Sequence, residues 1–217
     1  MKNEFKVIAD LIEKDTRVLD VGCADGTLMK FLKDNKNIDI RGLEISKNKV
    51  QKCIEKGLTV IEGNAEFDLK QFPDKSFDYV VLSQTLQAFL NPELVISELL
   101  RVGKKAIVTI PNFGYWKVRL HLLTKGTMPI TKTLPDEWYN TANLHMCTIK
   151  DFVHFIKFRN FKIFKKQLLA KARARPTIRS ATVHTYVRWT SKTTFFTFFS
   201  PVRTNAGHKL LFRFTCC

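Results

Sequence analysis

The stretch RVLDVGCADG, residues 17–26, constrains the fold of this 217-residue chain more than any other. An apolar run ends at Gly22, a turn continues to Gly26, and residues 27–32 then show the apolar spacing of a helix. A strand, a glycine turn and a helix start together make a nucleotide-binding device, because glycine has no Cβ to keep a ligand away from the backbone. The sequence therefore predicts a nucleotide-binding α/β unit near its start.

Apolar segments of strand length alternate with amphipathic, helix-like segments as far as Ile110. Such alternation is typical of βαβ units, so we expect a mostly parallel sheet with helices on both faces. The rhythm stops at Pro111, and we expect one domain over residues 1–170 with an aromatic-rich insertion at 111–148. The predicted strands occupy residues 18–21, 38–44, 58–61, 77–82 and 106–110, with a sixth near 161–164.

Composition excludes several classes of protein. No apolar run approaches the roughly 18 residues of a transmembrane helix, so we expect no membrane partner. Residues 1–15 carry charges throughout and lack the apolar core of a signal peptide, which predicts a cytoplasmic location. The five cysteines are scattered and show no Cys-x-x-Cys spacing, which predicts reduced thiols and no metal site.

Two further strand ends carry side chains that could line a nucleotide. Glu44 ends the second predicted strand 18 residues after Gly26, where a carboxylate can accept hydrogen bonds from the ribose hydroxyls of an adenosine, and Ile45 follows it. The alternative is a solvated surface glutamate. Ser83 and Gln84 follow the fourth strand, at the edge where open α/β sheets bind ligands, although they could equally cap the next helix.

The loop itself resembles that of a known class of enzymes. Its spacing, Asp-x-Gly-x-Ala-x-Gly, differs from the dinucleotide pattern Gly-x-Gly-x-x-Gly and is similar to the S-adenosylmethionine (SAM) loop of Rossmann-like class I methyltransferases. This resemblance implies SAM or S-adenosylhomocysteine (SAH) as cofactor. It implies contacts from Asp20, Gly22, Cys23, Ala24 and Gly26, although Ala24 stands where the family pattern has glycine.

The resemblance also implies a contact with the adenine edge at the end of the third predicted strand. Asn64, beside Ala65, offers a hydrogen-bond donor and an acceptor there, where the family more often has an acid. The alternative is an ordinary turn, because Gly-Asn is a common turn pair.

Five long blocks carry a second resemblance, and they are residues 77–87, 111–119, 128–132, 134–141 and 143–152. These blocks resemble the methionine biosynthesis protein MetW family. The resemblance implies a class I methyltransferase fold, a role in methionine biosynthesis and association with homoserine O-acyltransferase, which acylates homoserine. The alternative is an independent SAM-dependent methyltransferase that acts on a small molecule.

Seven residues of the insertion are candidates for a substrate or partner face. The aromatic rings among them could instead pack the insertion onto the sheet, and the arginine could bind a carboxylate or be a plain surface charge. No nucleophile with a paired base stands out, so the sequence identifies no catalytic residue. The candidates are Asn112, Tyr115, Trp116, Arg119, Trp138, Tyr139 and His145.

The charge of the chain is concentrated near its C-terminus. All 20 acidic residues lie at or before Asp151, whereas residues 152–217 hold 14 lysines and arginines. Residues 171–217 form a basic, acid-free tail that does not resemble the usual β-hairpin ending, although residues 183–189 could supply a last strand. Such a tail can bind nucleic acid or a membrane surface. We favour instead translation out of frame after about Leu168 or Leu169, where the resemblance stops, and we do not expect a nucleic-acid partner.

Overall fold

A central twisted sheet organises the chain in its computed structural model, which describes residues 3–131, 135–159, 161, 163–169, 182–189 and 215–216. The strand order is β3-β2-β1-β4-β5-β7-β6, and β8 pairs with β7. The first five strands are parallel, whereas β7 runs antiparallel to both β5 and β6. The strands are β1 (Arg17–Val21), β2 (Asp39–Glu44), β3 (Thr59–Glu62), β4 (Phe77–Ser83), β5 (Gly103–Pro111), β6 (Ile163–Leu169), β7 (Thr182–Trp189) and β8 (Thr215–Cys216).

Helices cover both faces of this sheet, which confirms the predicted Rossmann-like class I methyltransferase fold. Along β1 the side chains alternate, so Val18 joins the core beneath α1, α2 and α3, while Leu19 and Val21 join the core beneath α5 and α7. Short 3₁₀ turns follow α4 and β4. The helices are α1 (Asn3–Leu11), α2 (Thr27–Lys36), α3 (Lys47–Glu55), α4 (Ala65–Asp68), α5 (Pro92–Val102), α6 (Trp116–Lys125) and α7 (Ile149–Phe158).

The insertion contains a helix that its sequence pattern does not predict. Helix α6 buries only Val118 among its residues, and Trp116, Leu120 and Leu123 are exposed. Because its apolar residues do not mark one buried face, the helical period is hidden in the sequence. The sixth strand also differs from its predicted position, since β6 covers Ile163–Leu169 and not residues 161–164.

Residues 182–189 supply the strand that lies between β5 and β6. The pairing with β5 runs from Lys105 opposite Arg188 to Pro111 opposite Thr182. The rest of the tail, apart from β8, lies outside the described residues, and the domain boundary at residue 170 stays a prediction. Within the part of the chain described above, no helix is both long and apolar enough to cross a membrane.

Candidate functional site

The loop between β1 and α2 depends on three residues in left-handed backbone conformations. Gly22 and Gly26 have φ of 68° and 72°, and Ala24 has φ of 52°. A Cβ placed on Gly22 would lie 2.8 Å from Thr85 Cγ2, so only glycine lets the loop and the turn after β4 pack together. Ala24 therefore adopts a left-handed backbone conformation that is easier for glycine, which is the residue at this position in the related loops.

Glu44 holds the loop from the neighbouring strand. Its carboxylate is 5% exposed, and its Oε2 accepts a hydrogen bond from the backbone N–H of Ala24 at 2.9 Å. Its Oε1 accepts another from the N–H of Ser46 at 3.0 Å. Each oxygen keeps a further lone pair, so this oriented carboxylate can still accept ribose hydroxyls. Ile45, beside it, is exposed.

Asp20, at the end of β1, is buried without a hydrogen bond to either carboxylate oxygen. Burial, and secondarily the negative charge of Glu44, raise the pKa of Asp20 to about 8. The carboxyl group is therefore mostly protonated at neutral pH. This buried carboxyl group has no partner, and a ligand that brings hydrogen-bond donors or a positive charge would favour its ionised, accepting form.

Cysteines lie against the loop as buried, neutral thiols. Cys23 is 5% exposed, and burial raises the pKa of its thiol well above the usual range. Cys53, from α3, donates from its Sγ to the carbonyl oxygen of Ala24 at 3.2 Å. These thiols pack the loop rather than offer a thiolate nucleophile.

At the end of β3, Asn64 caps α4. Its Oδ1 accepts from the N–H of Glu66 at 2.9 Å, and its own N–H donates to Asp68 Oδ2 at 2.6 Å. Ala65 is buried in the first turn of the helix. The side-chain carbonyl oxygen of Asn64 is thus in use, and its side-chain amide nitrogen is the group that could reach an adenine.

At the end of β4, Gln84 is fixed from two sides. It has φ of 56°, and its N–H donates to Thr109 Oγ1 at 2.8 Å. Its Nε2 donates to the carboxylate of Glu4, which ties helix α1 to this edge of the sheet. Ser83 Oγ lies 3.4 Å from Thr109 Oγ1. Neither residue caps α5, because Asn91 accepts from the N–H of Leu94 there.

Gln87, in the turn after β4, is a candidate that the sequence pattern did not single out. Its side chain is 8% exposed, its Nε2 donates to the carbonyl oxygen of Gln84 at 2.7 Å, and its Oε1 has no hydrogen-bond partner. Its main-chain oxygen accepts from the N–H groups of Leu144 and His145 at 2.8 and 3.0 Å. The sequence does contain a signal that could have identified it. Gln87 is a second glutamine after Gln84, and it lies between the apolar Leu86 and Ala88 shortly after the end of β4.

Asn112 ties the two ends of the insertion together. Its Oδ1 accepts from the N–H of Gly114 at 3.0 Å and from that of Ile149 at 3.3 Å. The N–H of Phe113 donates to the carbonyl oxygen of Cys147 at 3.1 Å. The side chain of Asn112 therefore stabilises the insertion by hydrogen bonds to both of its ends.

Most aromatic candidates of the insertion lie on its surface. Trp138 and Tyr139 are 73% and 68% exposed and stack edge to face, with ring centroids 5.6 Å apart. Trp116 is also exposed, and Tyr115 is half-buried beside it. Arg119 and His145 are exposed as well.

A cavity of about 500 Å³ lies within the insertion, separate from the cofactor loop. Trp138, Tyr139, Met128 and Met146 line it together with the carboxylate-bearing Asp136 and others. None of the cofactor-loop residues named above lines this cavity. The part of the chain that the structure describes contains no group of three or more metal-ligating side chains.

Comparison with solved structures agrees with the fold. A SAM-dependent methyltransferase from Methanosarcina mazei superposes with a TM-score of 0.63 at 16% identity, over 84% of this chain and 96% of that one. At this identity the likeness is one of fold.

The curated relatives include a methionine biosynthesis protein and a methyltransferase. A bifunctional methionine biosynthesis protein MetXA/MetW from Rhodopirellula baltica is 34% identical over 153 residues, which is 66% of this chain and 25% of that protein. A 2-methyl-6-phytyl-1,4-hydroquinone methyltransferase from Synechocystis is 29% identical over 61% of this chain and 43% of its own length. The chain thus spans a quarter to less than half of these relatives.

The family comparison covers nearly the whole chain. The model of the family described as methionine biosynthesis protein MetW matches residues 2–198. This match includes the cofactor loop, the insertion and β7. The chain therefore belongs to the MetW family, whose members are proteins of methionine biosynthesis.

Proposed function

We propose that this protein binds SAM or SAH at the loop between β1 and α2 and supports homoserine acylation in association with a homoserine O-acyltransferase. The observation that carries the proposal is the MetXA/MetW relative, in which a segment like this chain shares one polypeptide with MetXA. Methionine biosynthesis is the role of the family. The cofactor and the partnership are what the proposal adds.

The residues of the loop fit the cofactor. Glu44 has lone pairs left for the ribose hydroxyls, and the unpartnered carboxyl group of Asp20 suits the ammonium group. Asn64 would bind the adenine edge through its amide nitrogen, and Ile45 would cover the adenine ring. Ser83 and Gln84, at the end of β4, would line the cofactor at the carboxyl edge of the sheet. When bound, SAM supplies an electrophilic methyl group.

Cofactor binding is tested by calorimetric titration with SAM and SAH. We expect Glu44→Ala to weaken binding of both at least about tenfold, because the change removes the ribose acceptor and the support of the loop. Glu55→Ala, an exposed glutamate at the end of α3, is the matched control. A wild-type protein that binds neither compound would contradict the proposed cofactor.

The proposed partner face lies on α6 and the loop that follows it. Trp116, Leu120 and Leu123 recur at positions i, i+4 and i+7 and are all exposed, so they form one apolar stripe. Trp138 and Tyr139 add two exposed aromatic rings to the same insertion. Tryptophan, tyrosine and arginine are the residues that most often anchor protein interfaces.

Basic side chains border this stripe. Helix α6 contains Lys117, Arg119 and Lys125 and no acidic residue. Charges of one sign around an apolar centre favour a partner that presents the opposite sign and increase the rate of encounter. We therefore expect the acyltransferase to present an apolar groove with an acidic rim.

Association is tested by co-purification with the acyltransferase and by homoserine acylation assays with and without this protein. Leu123→Glu places a charge in the stripe and should reduce association at least about tenfold. Leu90→Glu is the matched control, because Leu90 is similarly exposed outside the insertion. No association of the wild-type protein, together with no effect on acylation, would overturn the partnership.

A second candidate function is methyl transfer to a small molecule. The observation in its favour is the Synechocystis relative, a hydroquinone methyltransferase by description. Transfer of labelled methyl groups from SAM to a metabolite extract, in the absence of any acyltransferase, would establish it. If no metabolite is labelled although SAM binds, this alternative is wrong.

A further inference from the structure

Unpartnered buried acceptors are concentrated at one edge of the sheet. Among the side chains that the structure describes, four buried nitrogen or oxygen atoms lack a hydrogen bond: both carboxylate oxygens of Asp20, Gln87 Oε1 and Ser76 Oγ. Ser76 precedes β4, at the amino edge. Asp20 and Gln87 lie at the carboxyl edge, which is where parallel sheets bind ligands. Polar atoms buried in this way need a physical explanation, such as strain, an ordered water or a bound group.

The side chain of Gln87 is fixed in one orientation. Its inner neighbour is the carbonyl oxygen of Gln84, 2.7 Å away, and a carbonyl oxygen can only accept a hydrogen bond. The atom that faces Gln84 must therefore be the amide nitrogen. This leaves the amide oxygen as the atom without a partner, because the opposite orientation would place two acceptors against each other.

The turn that carries Gln87 packs directly on the cofactor loop. Thr85 lies so near Gly22 that a Cβ there would be 2.8 Å from Thr85 Cγ2 and 2.9 Å from its Oγ1. Gln87 follows two residues later in the same 3₁₀ turn. The glycine at position 22 is thus what allows the turn to approach the end of β1, where Asp20 lies.

We propose that Gln87 is a ligand-binding residue whose Oε1 accepts a hydrogen bond from the α-ammonium group of a nucleoside that carries an amino-acid chain. The unpartnered atoms at this edge are all oxygens of carboxyl or amide groups, so they suit a ligand with several N–H donors, and an ammonium group has three. Gln87 specifies the amino-acid end of the ligand, whereas Glu44 binds the nucleoside end. This role rests on the proposed function, which brings SAM or SAH to the loop.

The test compares SAH with 5′-methylthioadenosine, which shares the adenosine and the thioether and lacks the amino-acid chain. In calorimetric titrations, Gln87→Met should weaken SAH binding at least about tenfold and leave methylthioadenosine binding unchanged. Gln87→Leu also removes the acceptor oxygen and should give the same selective loss of SAH binding. Glu44→Ala should weaken both ligands.

Gln71→Met is the matched control, because Gln71 is an exposed glutamine that bonds to Asp68 on the surface. Thermal unfolding without ligand establishes that each variant is folded, and Gln87→Leu serves the comparison if Gln87→Met is not. Equal weakening of both ligands by Gln87→Met, or weakening of neither, would overturn the ammonium role while the cofactor proposal stands. A wild-type protein that binds neither ligand would instead overturn the cofactor proposal and this role together.

Discussion

At the scale of single residues, the proton on Asp20 links stability to pH. An aspartic acid in an unfolded chain ionises near pH 4, whereas burial raises the pKa of Asp20 to about 8 in the folded protein. Between about pH 4 and pH 8 the folded form holds the proton more tightly, so the free energy of unfolding falls as the pH rises through this window. Asp20→Asn cannot ionise and should show a shallower decline, measured as Tm by calorimetry across the window. Parallel profiles for the two proteins would contradict the assigned charge state.

Ala24 gives a second prediction at this scale. Its φ of 52° costs an L-residue with a Cβ about 1 kcal/mol, and glycine adopts this conformation without that cost. Ala24→Gly should therefore raise the free energy of unfolding by up to about 1 kcal/mol, less the larger entropy of glycine in the unfolded chain. Tm would rise by at most about 2–4 °C for a chain of this size, since that range corresponds to the full 1 kcal/mol. Ala106→Gly in β5, where glycine loses packing and relieves no backbone strain, should lower Tm and is the opposite case.

The placement of the loop residues could be predicted because it depends on local geometry. Asp20, Gly22 and Gly26 lie where a strand end and a tight turn must put them. The main-chain hydrogen bonds of Gln87 could not be predicted, because they depend on which neighbours the fold provides. Gln87 receives backbone donors from residues 144–145, more than fifty positions later in the chain.

At the scale of elements, the insertion depends on Asn112. Its Oδ1 accepts from backbone N–H groups at both ends of the segment, so Asn112→Ala should leave Gly114 and Ile149 without those bonds. We expect a loss of about 1–2 kcal/mol in the free energy of unfolding and faster hydrogen exchange at these two amides. Asn112→Asp keeps the acceptor and is the control. Unchanged exchange at both amides in Asn112→Ala would show that the tie is dispensable.

The sequence pattern predicts the parallel strands but not helix α6. Four of the five parallel strands, all except β3, are mostly buried, so their apolar runs are visible in the sequence. Helix α6 is hidden because Trp116, Leu120 and Leu123 are exposed, and the pattern of a helix is read from its buried side. Exposure of this apolar stripe is also what makes α6 a candidate for partner binding.

At the scale of the whole molecule, β7 joins the tail to the domain. It pairs with seven residues of β5 and six of β6 and lies between them. A chain ending at Leu169 should therefore lose cooperative thermal unfolding, whereas one ending at Trp189 should keep it, because the first leaves β5 and β6 without their shared neighbour. Equal stability of the two truncated chains would show that the domain ends before β7, as the boundary at residue 170 predicts.

The origin of the basic tail is a separate question for the coding DNA. Translation out of frame after about Leu169 predicts that another reading frame encodes a MetW-like ending. The family match to residue 198 and the strand at 182–189 both lie beyond that point. A DNA sequence without such an alternative ending would contradict the frame change.

Gln87 carries two carbonyl groups whose neighbours belong to different parts of the molecule. Its side-chain oxygen is free for a ligand, and its main-chain oxygen holds the insertion through Leu144 and His145. If a ligand strengthens the hold on the insertion, then ligand and acyltransferase must change each other's affinity by the same factor. Because SAM contains the methionine skeleton, the enzyme that commits homoserine to methionine would then respond to the supply of a molecule made from its own end product.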